Sequence, residues 1–414
     1  MVAERQTILH SDMNSFYASV EAMLDPSLKG KAVAVCGATE DRHGIVLAKS
    51  EKAKKCGVKT GMVNFEARQK CPDLILVPPQ YDQYLKYSKL AHEIYYRYTD
   101  QVEPFGMDEC WLDVTASRTC GSPMEIAEQI RKSVREELGL TVSIGVSFNK
   151  IFAKLGSDMK KPDAITEITS DNFQEKVWPL DASEMIYCGN ATRKKLETYG
   201  IHTIGDVAHA DEPFLRRLLG VHGSELWTYA NGKDQSRVMH KDFVSPVKSV
   251  GHGITCVADL ENEDEVFRVM LELAQDVGHR LRLHELSARG VQVYVRGNDL
   301  FGSQYQCKLP IKTQLPSEIA AAGFDLFRER YHWPNNVRAV CIRAIDLVPK
   351  NETEQLTLFD DYTKRASREN LEDAVEEIRS RFGKKAITYA CLLGDLKMPG
   401  DGRESVKMPG LMYK

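Results

Sequence analysis

Val102-Glu103-Pro104-Phe105-Gly106-Met107-Asp108-Glu109-Cys110-Trp111-Leu112-Asp113-Val114 sets two adjacent carboxylates in an apolar, strand-like run, and an earlier strand adds a third in His10-Ser11-Asp12-Met13-Asn14-Ser15-Phe16-Tyr17. Neighbouring acids are costly to bury, because desolvation and mutual repulsion both penalise the ionised forms. A divalent cation relieves both costs. Mg²⁺ prefers hard oxygen ligands and takes one or two protein carboxylates with substrate phosphates and water, so three acids without a His/Cys cluster suit phosphoryl chemistry better than zinc hydrolysis. Taken singly, Asp12 reads as a cap or turn residue and Asp108-Glu109 as a hairpin turn. Taken together they point to a site for two metal ions.

Working outward, Thr7 to Asp12 reads as a strand, Ser15 to Leu24 as a helix and Ala32 to Cys36 as a β-branched run. Pro78-Pro79 marks a break before a helical stretch from Tyr81 to Tyr98. Pro123 opens an amphipathic helix through Leu138 that Gly139 ends, and Thr141 to Val146 is strand-like. Two helices on an antiparallel sheet with split βαβ connectivity is the ferredoxin-like pattern, and it brings Asp12 and Asp108-Glu109 to neighbouring strand ends. Later, strand signals at Gly290 to Arg296 and Arg338 to Val348 flank helical runs at Asp264 to Leu283 and Ser317 to Arg330. A late helix shows Leu371, Val375, Ile378 and Phe382 at helical spacing.

At 414 residues the chain is too long for one core and is expected to be multidomain α+β. Its net charge of −4 excludes bulk electrostatic attachment to nucleic acid, so any DNA grip must come from local basic patches. The 10 cysteines are scattered without a C-x-x-C pair, which fits core thiols in a reducing cytoplasm, and no apolar stretch approaches a membrane span.

Ser11 to Glu21, Asp108 to Asp113, Ser143 to Lys150 and Phe152 to Pro162 together resemble, in order and separation, the Y-family translesion DNA polymerases, most nearly the bacterial DNA polymerase IV-like members. The resemblance spans roughly residues 5 to 395. It implies a right-hand polymerase: a ferredoxin-like palm in residues 1–30 and 78–165, small fingers in 31–77, and a helical thumb in 166–240. An α/β little finger would occupy 244–349, and a flexible tail with a short helix 350–414. Asp12, Asp108 and Glu109, joined by the Met13 carbonyl, would hold two Mg²⁺ ions, with Mn²⁺ as a substitute.

Tyr17 matches the family's steric gate against the ribose 2′-hydroxyl; as a bare residue it reads as a core aromatic. Phe16 lies where backbone amides would meet the triphosphate. Lys161 matches a triphosphate lysine and Lys154 is a weaker candidate, although the run Lys150, Lys154, Lys160, Lys161 reads on its own as a solvated face. In the fingers, Glu51 and Lys54 stand where the polymerase IV branch carries a tyrosine and an arginine. Lys54 keeps the cation without bidentate geometry, as in UmuC-type relatives, and Glu51 brings an anion toward phosphate.

In the thumb, Gly189, Asn190, Ala191 and Lys194 resemble a helix-hairpin-helix that meets DNA phosphate, with Ala191 replacing the second hairpin glycine. Lys248, Ser249 and His252 resemble the little-finger strand along the template; a plain edge strand is the rival reading. Gln355, Leu356, Leu358 and Phe359 resemble the peptide that docks on the bacterial sliding clamp. Primer-template DNA, deoxynucleoside triphosphates and the clamp are the implied partners of a monomeric, cytoplasmic, nucleoid-associated bacterial enzyme. Two other readings are a catalytically silent, clamp-tethered DNA-binding scaffold on the same fold and a ferredoxin-like nucleotidyl cyclase, which leaves the thumb and clamp peptide unexplained.

Overall fold

The computed structural model describes residues 6–40, 42, 44–353 and 362–399. They fall into two compact units, one holding the chain up to Gly37 and from Ile45 to Ser245, the other holding Ala38–Gly44 and the chain from Pro246 onward.

In the first unit β1 (Ile8–Met13) leads into α1 (Phe16–Leu24). A small sheet follows from β2 (Val33–Cys36), β3 (Val46–Lys49) and β4 (Ile75–Val77), with α2 (Glu51–Lys55) and α3 (Asn64–Lys70) packed on it. Strand order is β3-β2-β4, antiparallel then parallel. Next come α4 (Tyr81–Tyr95), β5 (Val102–Pro104), β6 (Glu109–Asp113), α5 (Pro123–Leu138), β7 (Val142–Ser147), α6 (Lys150–Met159) and β8 (Ile165–Ile168). Their sheet has the order β5-β6-β1-β7-β8, antiparallel except for the last pair. The first four strands have the ferredoxin-like arrangement, and β8 extends it by one.

β1 is central and buried along its whole length, so its alternation separates two interiors rather than core from solvent. Leu9 and Met13 join the apolar residues of α1, α4 and α5, and Ser11 Oγ meets Tyr95 Oη at 3.0 Å on the same side. Ile8, His10 and Asp12 face α6, where Ile8 packs with Trp111 and Ala153. α5 begins with a capping box between Ser122 and Glu125 and ends on Gly139 in the left-handed region, φ 67°.

α6 can lie on β7 only because Gly145 faces it: a Cβ there would overlap the Ala153 carbonyl oxygen, and the Cβ position of Gly156 is 3.2 Å from the Gly145 Cα. Gly145→Ala is therefore expected to destabilise the protein by about 3 kcal/mol or more, since neither backbone can retreat without repacking. Urea denaturation checks this; a loss below about 0.5 kcal/mol contradicts the packing account.

Beyond β8 the unit is helical: α7 (Phe173–Val177), α8 (Asn190–Glu197), α9 (Ile204–His209), α10 (Glu212–Leu219) and α11 (Val221–Ala230) surround Phe152, Leu196, Ile204, Leu215 and Leu226.

The second unit is an antiparallel sheet of order β11-β10-β12-β9, formed by β9 (Val250–Leu260), β10 (Leu286–Gly297), β11 (Gly302–Thr313) and β12 (Val337–Pro349). Two helices, α12 (Glu263–Leu283) and α13 (Pro316–Arg330), cover one face through Val269, Leu273, Val277, Ile319 and Phe327. Sequence patterning does not mark β11, because this edge strand carries Ser303, Gln304, Gln306 and Lys308 in place of an apolar run.

The tail expectation needs correction over the described residues. α14 (Tyr362–Phe382) is 21 residues long, and after it Leu392 and Leu396 are buried in the core of the second unit. Val257 N–H donates to the Lys397 carbonyl at 2.8 Å, and Lys397 Nζ reaches Glu265 at 2.9 Å. Nor is the periodic apolar face of α14 its inner face, since Leu371 is 63% and Phe382 74% exposed. Polar groups make the seam instead: Glu376 pairs with His279 at 2.6 Å and with Arg282 at 3.5 Å, and Arg379 donates to Gln275 at 2.5 Å. The clamp-type peptide at 355–359 lies outside the described residues.

Candidate active site

The register of the central sheet pairs Asp12 directly with Glu109 and His10 with Trp111. Asp108 occupies the bend before β6, after Gly106 (φ 137°), and its carbonyl accepts from Met13 N–H at 2.9 Å. The three carboxylates and the Met13 backbone therefore meet at one end of the β1–β6 pair. Hairpin and metal readings of Asp108-Glu109 are thus compatible: the bend delivers Asp108, and the strand start delivers Glu109.

The three acids differ electrostatically. Burial, then the Asp12 and Glu109 charges, push Asp108 up to about 7. Burial also raises Asp12, to about 6, against the opposing pull of Lys161. Burial alone would raise Glu109 too, but the His10 ring and the Lys154 ammonium outweigh it and hold the carboxyl down at about 2. Lys161 Nζ lies 2.6 Å from Asp12 and 2.8 Å from Asp158, and Lys154 Nζ lies 2.5 Å from Glu109. Lys154 is thus tied into the carboxylate cluster rather than lying on a solvated face. Lys150 is different again: it is buried against Glu103 at 2.7 Å, with its ammonium 4.4 Å from the Trp111 ring centroid.

Among the described residues no group of three or more His, Cys, Asp or Glu side chains is drawn together closely enough to grip a metal as placed. The donor chemistry nevertheless suits hard divalent cations. All ligand candidates are oxygens, and Asp108 is raised chiefly by burial and two like charges, a cost that a cation would offset.

Tyr17 is half-buried and stacks on Tyr84, ring centroids 4.1 Å apart at 7°, with Tyr81 edge-on at 6.1 Å. Burial and the Asp108 charge both raise its phenol, which places the ring within electrostatic reach of the carboxylates. Tyr84 is itself fixed by a 2.5 Å bond from its hydroxyl to Glu21. The Phe16 side chain belongs to the core, leaving only its backbone at the head of α1 for any ligand.

Three supporting residues were not marked by the sequence. His10 is fully buried: Nδ1 meets Ser157 Oγ at 2.9 Å, and Nε2 stands 3.5 Å from Glu109. Burial holds the imidazole down at about 4. Asn14 bridges two elements, donating to Ser143 Oγ at 2.9 Å and accepting from Asp163 N–H at 2.8 Å, which anchors the turn carrying Lys161. Lys49, at the end of β3, donates to Thr60 Oγ1 at 3.1 Å. Its ammonium is lowered by burial and then by Lys54. The only available signals were a histidine two residues from Asp12, an asparagine two residues after it, and a lysine beside Glu51.

The DNA-contact candidates stand elsewhere. Gly189 caps α8 and Asn190, Ala191 and Lys194 lie on it, all four exposed, preceded by a 3-10 turn at Ala182–Glu184 where a full helix would open a helix-hairpin-helix. Lys248 is exposed just ahead of the edge strand β9, and Ser249 is half-buried. His252 departs from expectation: Nδ1 points at Asp276 Oδ2 of α12, 3.1 Å away, so its side chain serves the helix face and leaves only its backbone on the strand edge.

Fold and site together define a Y-family DNA polymerase architecture. A solved Y-family DNA polymerase chimera superposes with a TM-score of 0.74 over 83% of this chain and 99% of that one, at 24% identity. The impB/mucB/samB family matches residues 11–158, and its C-terminal domain matches 247–358. DNA polymerase IV of Acetivibrio thermocellus is 47% identical over 392 residues, covering 94% of this chain and 98% of the relative. DNA polymerase IV 1 of Bacillus subtilis is 38% identical over 395 residues, covering 95% and 94%. The chain belongs to the impB/mucB/samB family of Y-family polymerases.

Proposed function

We propose that this chain is a template-directed DNA polymerase that adds deoxynucleotides to a primer 3′ end by two-metal phosphoryl transfer, and that it serves low-fidelity translesion synthesis. The observation that carries the reading is the Asp12–Glu109 register with Asp108 beside it and lysines from the α6 segment converging on the same corner. Asp12, Asp108, Glu109 and the Met13 carbonyl would hold the metals. When bound, two Mg²⁺ ions, or Mn²⁺, supply Lewis-acid activation of the primer hydroxyl and neutralise charge on the triphosphate.

The protein's own groups do the rest. Glu109, kept ionised by Lys154 and His10, is a ready ligand at any physiological pH. Lys161 and Lys54 bring cationic charge toward the triphosphate, and the head of α1 at Phe16-Tyr17 presents amides without intrahelical partners. Tyr17, braced by Tyr84, floors the sugar site. The 3′-oxygen attacks the α-phosphorus in line and pyrophosphate departs, with positioning and charge stabilisation as the main sources of rate.

In this reading residues 1–30 and 78–165 act as palm, 31–77 as fingers, 166–240 as thumb and 244–349 as little finger. Gly189, Asn190, Ala191, Lys194, Lys248 and Ser249 contact DNA backbone without reading bases. The 355–359 peptide tethers the enzyme to a sliding clamp, and the enzyme works as a monomer at the nucleoid in the cytoplasm. Among the described residues no helix is long and apolar enough to cross a membrane. The test is primer extension by the purified protein with four deoxynucleotides and Mg²⁺, on undamaged and lesion-bearing templates. Template-coded products that vanish with chelator support the reading, and no incorporation on either template sinks it.

Metal uptake should be proton-coupled. Asp12 and Asp108 are raised to about 6 and 7, so their protonated fractions grow as pH falls through that range, and metal must displace those protons. Mn²⁺ binding measured calorimetrically in buffers of different ionisation enthalpy should release about one to two protons near pH 5.5 and almost none near pH 8.5. Equal release at both values contradicts the assigned ligands.

A further inference from the structure

Ser15, immediately before α1, has left-handed backbone angles (φ 48°, ψ 40°), and its side chain does not cap its own helix. Its hydroxyl donates instead to Glu51 Oε1, 3.0 Å away on the first turn of α2. Lys49 at the end of β3 and Lys54 on α2 flank Glu51 in the chain. The Lys49 ammonium, on the adjoining strand end, is lowered by burial and then by Lys54, with Glu51 pulling it up and Lys161 pushing it down, so it feels all three charges. Lys161 in turn touches Asp12. A carboxylate that accepts from a hydroxyl at the head of a helix takes the place a phosphate oxygen would occupy there.

We propose that Glu51 is a built-in anionic competitor for the triphosphate: through Ser15 it holds the corner formed by Lys49, Lys54, Lys161 and the head of α1, and an incoming nucleoside triphosphate must displace it. The inference rests on the polymerase reading of this site. It makes Glu51 a residue that sets nucleotide affinity, opposing rather than assisting binding. It also gives Lys49 a part as a third cation that the displaced carboxylate releases toward phosphate. Because the competition is with phosphate and not with a base, all four deoxynucleotides feel it alike.

Glu51→Gln retains an oxygen for the Ser15 hydroxyl and removes the charge, whereas Glu51→Ala removes both. For each, deoxynucleotide Kd is measured on the complex with a dideoxy-terminated primer-template, where no chemistry occurs, and KM and kcat on an extendable primer. Kd and KM are expected to fall about five- to tenfold, equally for the four nucleotides, with the change carried by KM rather than kcat. The inhibition constant of inorganic tripolyphosphate should fall in parallel. Unchanged or higher Kd in either variant overturns the proposal, as does an effect confined to kcat, which would mean that Glu51 only holds the fingers in place. Wild-type protein that incorporates nothing defeats the polymerase reading itself. Wild-type incorporation with unaltered Kd in the variants defeats the competitor alone.

Discussion

Asp108→Ala is expected to lower primer extension by a factor on the order of 10³ or more while leaving primer-template affinity within about threefold. The size follows from position. Asp108 sits in the bend whose carbonyl accepts from Met13, beside Asp12 and Glu109, and is the acid most strongly opposed to ionisation without a cation. In the proposed two-metal reading, its removal would delete ligand oxygens at the point of bond formation, where electrostatic stabilisation is largest. The DNA-contact candidates at Gly189 to Lys194 are on α8, far along the chain in the helical region, so binding should persist. Burst kinetics with radiolabelled primer and a fluorescence-anisotropy titration separate the two effects. Since burial raises the Asp108 carboxyl, Ala should also relieve repulsion in metal-free protein, and a thermal melt is expected to be unchanged or higher. A variant that retains activity contradicts the metal assignment, and one that loses both activity and stability indicates a structural role.

Tyr17→Ala should reduce discrimination against ribonucleotides by about two orders of magnitude, with a smaller loss of deoxynucleotide incorporation. The ring stacks flat on Tyr84, which is locked to Glu21, so Tyr17 cannot yield easily to a 2′-hydroxyl. Its backbone remains available at the head of α1 after truncation, so triphosphate binding is largely spared. The ratio of kcat/KM for matched deoxy- and ribonucleotides measures the effect. Unchanged discrimination would return Tyr17 to the role of an ordinary packed aromatic.

Asp12 and Asp108-Glu109 were readable as a group because acids in apolar, strand-like runs are conspicuous, whereas Lys161 was marked only by the family resemblance and Gly145 was read only as part of a strand. The sheet core was readable as well, since alternation in β1 and the capped helix α5 advertise themselves. Long-range partnerships were not. Nothing near His10 announces that it will stand between Ser157 and Glu109, and Asn14 acquires its meaning only when β7 and the Asp163 turn arrive. β11 was hidden because an edge strand can be polar. α14 misled because its regular apolar positions face outward and ion pairs with α12 make the seam, so periodicity located the helix but not its buried face. His252 was legible as a polar residue on an edge strand, but its direction was set by Asp276, far away in sequence.

The central claim is that Asp12, Asp108 and Glu109 form one two-metal centre. Its most direct test is anomalous diffraction at the manganese edge from crystals of the protein with a dideoxy-terminated primer-template, an incoming deoxynucleotide and Mn²⁺. Two peaks are expected, both within coordination distance of these carboxylates, with one also near the Met13 carbonyl and the triphosphate. Peaks located elsewhere, or bound nucleotide with no metal on these three residues, would contradict it.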